Sequence, residues 1–157
     1  MQILIPARID RHLKAQISSL AKHVLERMVA EADRETLKVT VRFDSMLAHQ
    51  GTCEPLWEED IGLEKQSVIA VTLNRSAVFN TDQFLRLVSH EFVHVGQMAN
   101  GSLQFRDDGE YWHGEFIDDS LYRDPNHERP EEVEAYALEG RMLGSWKRSA
   151  SFRELLN

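Results

Sequence analysis

The segment LRLVSHEFVHVGQMANG, residues 85–101, carries His90, Glu91 and His94 inside an apolar run of Leu87, Val88, Phe92, Val93 and Val95. On a helix, residues four apart differ by about 40° in direction, so imidazoles at 90 and 94 project from one face on successive turns. Neutral imidazole is a good zinc ligand. Glu91 is rotated by about 100° from His90, so it flanks such an ion and can take a proton from a water there. Two ligands and a general base within one helical turn is the H-E-x-x-H logic of a zinc hydrolase. Polar groups in so apolar a setting are costly unless something compensates them. A metal ion would.

A catalytic zinc usually has three protein ligands and one open position. The metzincin pattern would place Gly at 97 and His at 100. The chain has Gln97 and Asn100, so that class fails. A deformylase would draw a cysteine from an upstream Gly-Cys segment. The only cysteine, Cys53, lies in GTCEP, which lacks the rest of that motif. A carboxylate on a later helix is left. The last helical segment opens PEEVEAYALEG and offers Glu131, Glu132, Glu134 and Glu139. Glu131 and Glu132 fall in the first turn, where the helix dipole favours carboxylates without any function. Glu134 is followed by Ala135 and Ala137, small enough to let the two helices approach closely. It is the preferred third ligand, with Glu131, Glu132, His113 and His127 as alternatives. Tyr122 is a candidate donor to a developing oxyanion, against a plainer packing role. Gln97 lies near the His94 face and either orients a ligand or ends a solvated helix.

These residues need elements to hold them. Leu13, Ile17, Leu20, Val24, Met28 and Val29 recur at helical spacing, predicting a helix from Asp10, its cap, to about Arg34. LKVTVRFD alternates apolar and polar and predicts a half-buried strand. Residues 45–66, with an acidic cluster at Glu58, Glu59 and Asp60, read as a long loop with at most a short strand. SVIAVTLN, residues 67–74, suits the interior of a sheet. Asn80 or Thr81 starts the histidine helix, and Asn100 and Gly101 end it. SLQFR and YWHGEFI flank DDGE as a hairpin. A last helix begins at Pro130 and reaches about Arg148. The expectation is one α+β domain over 1–157, in the order α-β-β-α-β-β-α, with a small mixed or antiparallel sheet.

The chain has 157 residues, 42% hydrophobic and 28% charged, with a formal net charge of −8. That length suffices for a core. The negative charge argues against nucleic acid as the main partner, since phosphate binding relies on Lys and Arg. One cysteine excludes an internal disulfide and fits a reducing, cytoplasmic setting. No segment reads as a signal peptide or a membrane span.

HEFVHVGQ, then YWHGEFI, then Tyr122 and RPEEVEAYA, together resemble a group of small metallopeptidases found in phages and bacteria. The resemblance covers about residues 80–145 and leaves the first eighty outside it. It implies a minimal zincin of the gluzincin type, more distantly similar to SprT-like proteins. EAYA is also similar to the setting of the gluzincin ligand glutamate, in patterns such as E-G-F-A. The resemblance implies Zn²⁺ held by His90, His94 and Glu134, with Glu91 as base. The chain departs from the group at Glu131, where a bulky aromatic is common. The expected activity is zinc-dependent hydrolysis of a peptide or protein bound along a sheet edge, the strand being SVIAVTLN or its neighbour. The alternatives are a zinc-stabilised scaffold without turnover and a zinc amidase acting on a non-protein amide. Glu91 has no purpose in a scaffold.

Overall fold

The computed structural model describes residues 1–56, 65–74, 76, 80–120, 122 and 128–155. Trp57, the acidic cluster at 58–60 and His127 lie outside the described residues.

A short strand β1 (Gln2–Leu4) leads into helix α1 (Arg11–Met28). Asp10 caps α1 by accepting from the Leu13 amide. The helix stops earlier than the expected Arg34. Val29 is extended, and the following α2 (Glu31–Thr36) buries none of its residues. The cause is local: past Val29 the apolar spacing gives way to Glu31, Asp33, Arg34 and Glu35, which have no core face to offer.

Strands β2 (Lys38–Phe43), β3 (Gly51–Pro55) and β4 (Val68–Leu73) join β1 in a mixed sheet ordered β1-β2-β4-β3. β1 and β4 run parallel to β2, and β3 returns antiparallel to β4. In β2 the expected alternation holds, with Val39 and Val41 buried and Lys38 and Arg42 exposed. β4 pairs on both sides and is apolar except for Thr72. Among the described residues β3 pairs only with β4 and is an edge strand of the sheet.

Helix α3 (Thr81–Asn100) is the centre of the molecule. Asn80 caps it by accepting from the Gln83 amide. Gly101 ends it at φ 82°, a left-handed conformation that glycine adopts without strain. The helix packs against α1, against β3 and β4, and against α4 (Pro130–Lys147). As a result every residue from Leu87 to Ala99 is buried. The core joins Ile17, Leu20, Val24, Val39, Ile69, Val88, Phe92 and Trp146 in one cluster. After α3 come β5 (Leu103–Arg106), β6 (Gly109–Trp112) and β7 (Glu115–Phe116), an antiparallel three-stranded sheet. The expected hairpin is present as β5 and β6, but its turn is Asp107 and Asp108, and YWHGEFI is not one strand: it breaks at His113 and Gly114, both at positive φ, into β6 and β7. The chain closes with α4 and the short α5 (Ala150–Glu154). The architecture is α+β. Among the described residues no helix is long and apolar enough to cross a membrane.

Candidate metal centre

His90 and His94 meet as their spacing requires. Their Nε2 atoms lie 3.2 Å apart and face one another. The carboxylate between them is that of Glu132. Its Oε2 is 3.3 Å from His90 Nε2 and its Oε1 is 3.4 Å from His94 Nε2. One ligand atom from each of the three residues can be chosen with all within 4.8 Å. Two ligands of a tetrahedral zinc, each about 2.0–2.1 Å from the ion, lie about 3.3 Å apart. The donor set and its spacing therefore fit zinc.

Glu134, the preferred candidate from sequence, does not join this cluster. Its Oε2 accepts from Gln97 Nε2 at 3.0 Å. The reason is rotation: on α4, Glu134 is turned by about 200° from Glu132, whereas Tyr136 and Glu139 return to the Glu132 face. Ala135 does allow the close approach of the helices, being fully buried, but the carboxylate carried into the site comes from the first turn. Ala135, Leu143 and Trp146, which α4 buries, share the face of residues 132 and 139.

The tautomers follow from the partners. His90 Nδ1 is 3.0 Å from Glu139 Oε2, and a carboxylate only accepts, so Nδ1 carries the proton. His94 Nδ1 is 2.7 Å from Gln97 Oε1. Gln97 Nε2 donates to the Glu131 carbonyl at 2.9 Å and to Glu134, which fixes the amide with its oxygen toward the ring. Both Nε2 atoms thus present lone pairs to each other and to a carboxylate. That arrangement repels unless a cation, a proton or a metal ion, sits among them. Partners on the far ring nitrogen are what orient metal-ligating histidines. Glu139 is tied in turn: Ser89 Oγ donates to its carbonyl, and Arg86 lies 3.6 Å from its carboxylate. Neither Glu139 as a partner of His90 nor Gln97 as a buried residue was evident from sequence. Gln97 is fully buried, not at a solvated helix end.

The electrostatics agree. Burial pulls His90 and His94 down, but Glu132 and Glu91 outweigh it, and both rings end above their ordinary value. The two imidazoles hold the Glu132 carboxyl well below the usual range. Glu91 is 4% exposed. Burial raises it to about 7, against the downward pull of His94 and His90. It lies beside Gly51 of β3, where any Cβ would overlap its carboxylate. Glycine there lets the strand wall close over the base.

These groups line a cleft of about 1130 Å³ between β3, α3, the β5–β6 hairpin and the start of α4. Tyr122 does not line it; it packs against the core, and its amide donates to Asp119. The phenol at the cleft belongs to Tyr136, whose ring centroid is 4.8 Å from that of His90. Burial, then Glu132 and Glu139, raise its pKa, so it remains a donor. His113 also stands apart, at φ 49° beside Trp112. No family model, curated protein or solved structure gives a significant match to this chain.

Proposed function

We propose that the chain is a zinc-dependent hydrolase, a peptidase of zincin-like build, with His90, His94 and Glu132 as ligands. The observation that carries this reading is the triangle of Nε2, Nε2 and carboxylate atoms spaced 3.2–3.4 Å, with both far nitrogens already bonded. Zinc bound there would supply a Lewis acid for a carbonyl oxygen and make water nucleophilic near neutral pH. Glu91 takes the proton from the attacking water and passes it to the leaving amine. A carboxyl near 7 is suited to both halves of that transfer, and a cation in the site pulls it down toward the base form. The small Gly51 and the burial of Glu91 keep bulk water from the base. The position of β3 at the edge of the sheet among the described residues, next to the cleft, supports an extended peptide as substrate, since an edge strand can take a further strand by addition. That strand is the neighbour of SVIAVTLN.

The test is metal analysis with activity. Protein purified without chelator should carry close to one equivalent of zinc, and His94→Ala should lose it. Zinc-loaded protein should cleave members of a mixed peptide library read by mass spectrometry, and chelator-stripped protein should not. Zinc absent from the wild type would sink the reading. Zinc retained without cleavage would favour a zinc-stabilised binding protein.

A further inference from the structure

We propose that Arg129 is a positioning residue of the metal centre, whose guanidinium fixes the first turn of α4 and with it the ligand Glu132; this rests on reading that centre as a zinc site. Glu132 stands in the first turn of α4. Where its carboxylate falls depends on how that turn is held. No side chain caps the helix among the described residues, and its cap position is Arg129 itself. From the α3 side the turn is held by Gln97, which donates to the Glu131 carbonyl. From the hairpin side it is held, among the described residues, by Arg129.

The guanidinium joins three segments that are separate in sequence. Nη2 donates to Glu110 of β6, Nη1 to Asp119 Oδ1 beyond β7 at 2.6 Å, and Nε to Glu131 of α4. A planar fork with donors in fixed directions suits this task, and a point charge does not. Glu131 depends on the pairing. Its side chain is 6% exposed, and its Oε2 has no hydrogen-bond partner among the described residues. Without Arg129 a buried carboxylate would be left with neither oxygen paired, which costs far more than the loss of an exposed ion pair. The turn relieves that cost by swinging outward until Glu131 meets water. Glu132 is the next residue and is carried with it. Its oxygens lie 3.3 and 3.4 Å from the two imidazole Nε2 atoms. Metal–ligand distances tolerate only about 0.2 Å, so a small rotation is enough to weaken ligation. Charge alone predicts the opposite sign. Arg129 is a cation near a site for a dication, so if repulsion were its only link to the centre, removing it would tighten zinc binding.

The experiment measures zinc affinity by competition with a chromogenic chelator, for the wild type, Arg129→Met, Glu110→Ala and the double variant. Each is held at a temperature where circular dichroism shows it folded. Arg129→Met should bind zinc about tenfold more weakly, the lower end of the range for groups that support a ligand. Glu110→Ala, on the hairpin, should cost up to about fivefold, as for a partly exposed ion pair. It should cost nothing further once Arg129 is gone. A merely structural role would lower the melting temperature of the metal-free protein and leave the affinity of folded molecules unchanged. Unchanged or tighter zinc binding by Arg129→Met therefore overturns the proposal. So does an effect of Glu110→Ala that persists undiminished in the Arg129→Met background. If Arg129→Met fails to fold, Arg129→Lys takes its place. One ammonium cannot hold three carboxylates on separate segments, so this variant should also bind zinc more weakly, and wild-type affinity overturns the proposal. A wild type that binds zinc while the Arg129 variants match it removes the positioning role and leaves the metal centre. A wild type that binds no zinc removes the metal centre and the positioning role with it.

Discussion

Helix α3 has two flanks, and they differ in kind. Toward α1 it meets Leu13, Ile17, Leu20, Val24 and Leu25, an apolar stripe whose contacts are non-directional. Toward the first turns of α4 it meets Glu131, Glu132, Glu134 and Glu139 through hydrogen bonds from Gln97, His90 and Ser89. Only farther along does α4 turn apolar, with Leu143 and Trp146 buried. One flank stabilises the fold. The other holds groups that burial makes costly, and it is bearable because the first flank is there. A change on the α1 side should therefore alter stability and leave chemistry intact, while a change on the α4 side should do the opposite.

The sharpest break in this comparison lies within α4 itself. Glu132→Ala should weaken zinc binding by more than about 10²-fold, beyond the 10–100-fold typical of groups that only support a ligand. Glu134→Ala, two residues away, should cost about tenfold or less, through Gln97 alone. Competition with a chromogenic chelator measures both. If Glu134→Ala proves the more damaging, the ligand assignment is reversed.

Next in size is Glu91→Gln, which keeps side-chain shape and removes the base. Zinc content and melting temperature should hardly change. Hydrolysis of any peptide the wild type cleaves should fall by about 10²–10⁴-fold. Unchanged turnover would show that another group moves the proton.

On the α1 flank, Leu20→Ala should lower unfolding stability by about 2–5 kcal/mol, as for other fully buried leucines. Zinc stoichiometry and rate per folded molecule should stay at wild-type values. Loss of zinc from a protein that is still folded would mean the flanks are coupled.

The same contrast explains what sequence could reveal. Features written locally were legible. Asn80 and Gly101 bounded α3, Asp10 capped α1, and the alternation of LKVTVRFD gave β2. His90, Glu91 and His94 were legible because one helical turn fixes their relation. β1 escaped notice because three residues carry no period, and its partner β2 lies more than thirty residues on. β3 is the short strand allowed for within residues 45–66, but its place there was not legible, because GTCEP has no strand signature and is held by its pairing with β4. The choice of Glu132 over Glu134 depends on how α4 is rotated against α3. That rotation is set by Ala135, Leu143 and Trp146 seeking the core, a tertiary fact which small residues beside Glu134 do not encode.

A smaller effect than that of Glu132→Ala tests the most deeply buried part of the α4 flank. Gln97 holds His94 Nδ1 with its oxygen while its nitrogen is anchored by Glu131 and Glu134. Gln97→Met keeps the volume and removes the amide. His94 then loses its acceptor, its tautomer is no longer fixed, and the Glu131 carbonyl loses a donor. Zinc affinity should fall by about 10–100-fold, with stoichiometry still one at saturating metal. Glu139→Gln should do less, because an amide oxygen can still accept from His90 Nδ1. Gln97→Glu offers a sharper arm: its carboxylate can accept from His94 but stands against that of Glu134, so it should recover little. Chelator competition ranks the three. If Gln97→Met binds zinc as the wild type does, the amide only fills space, and the α4 flank is less different from the α1 flank than its hydrogen bonds suggest.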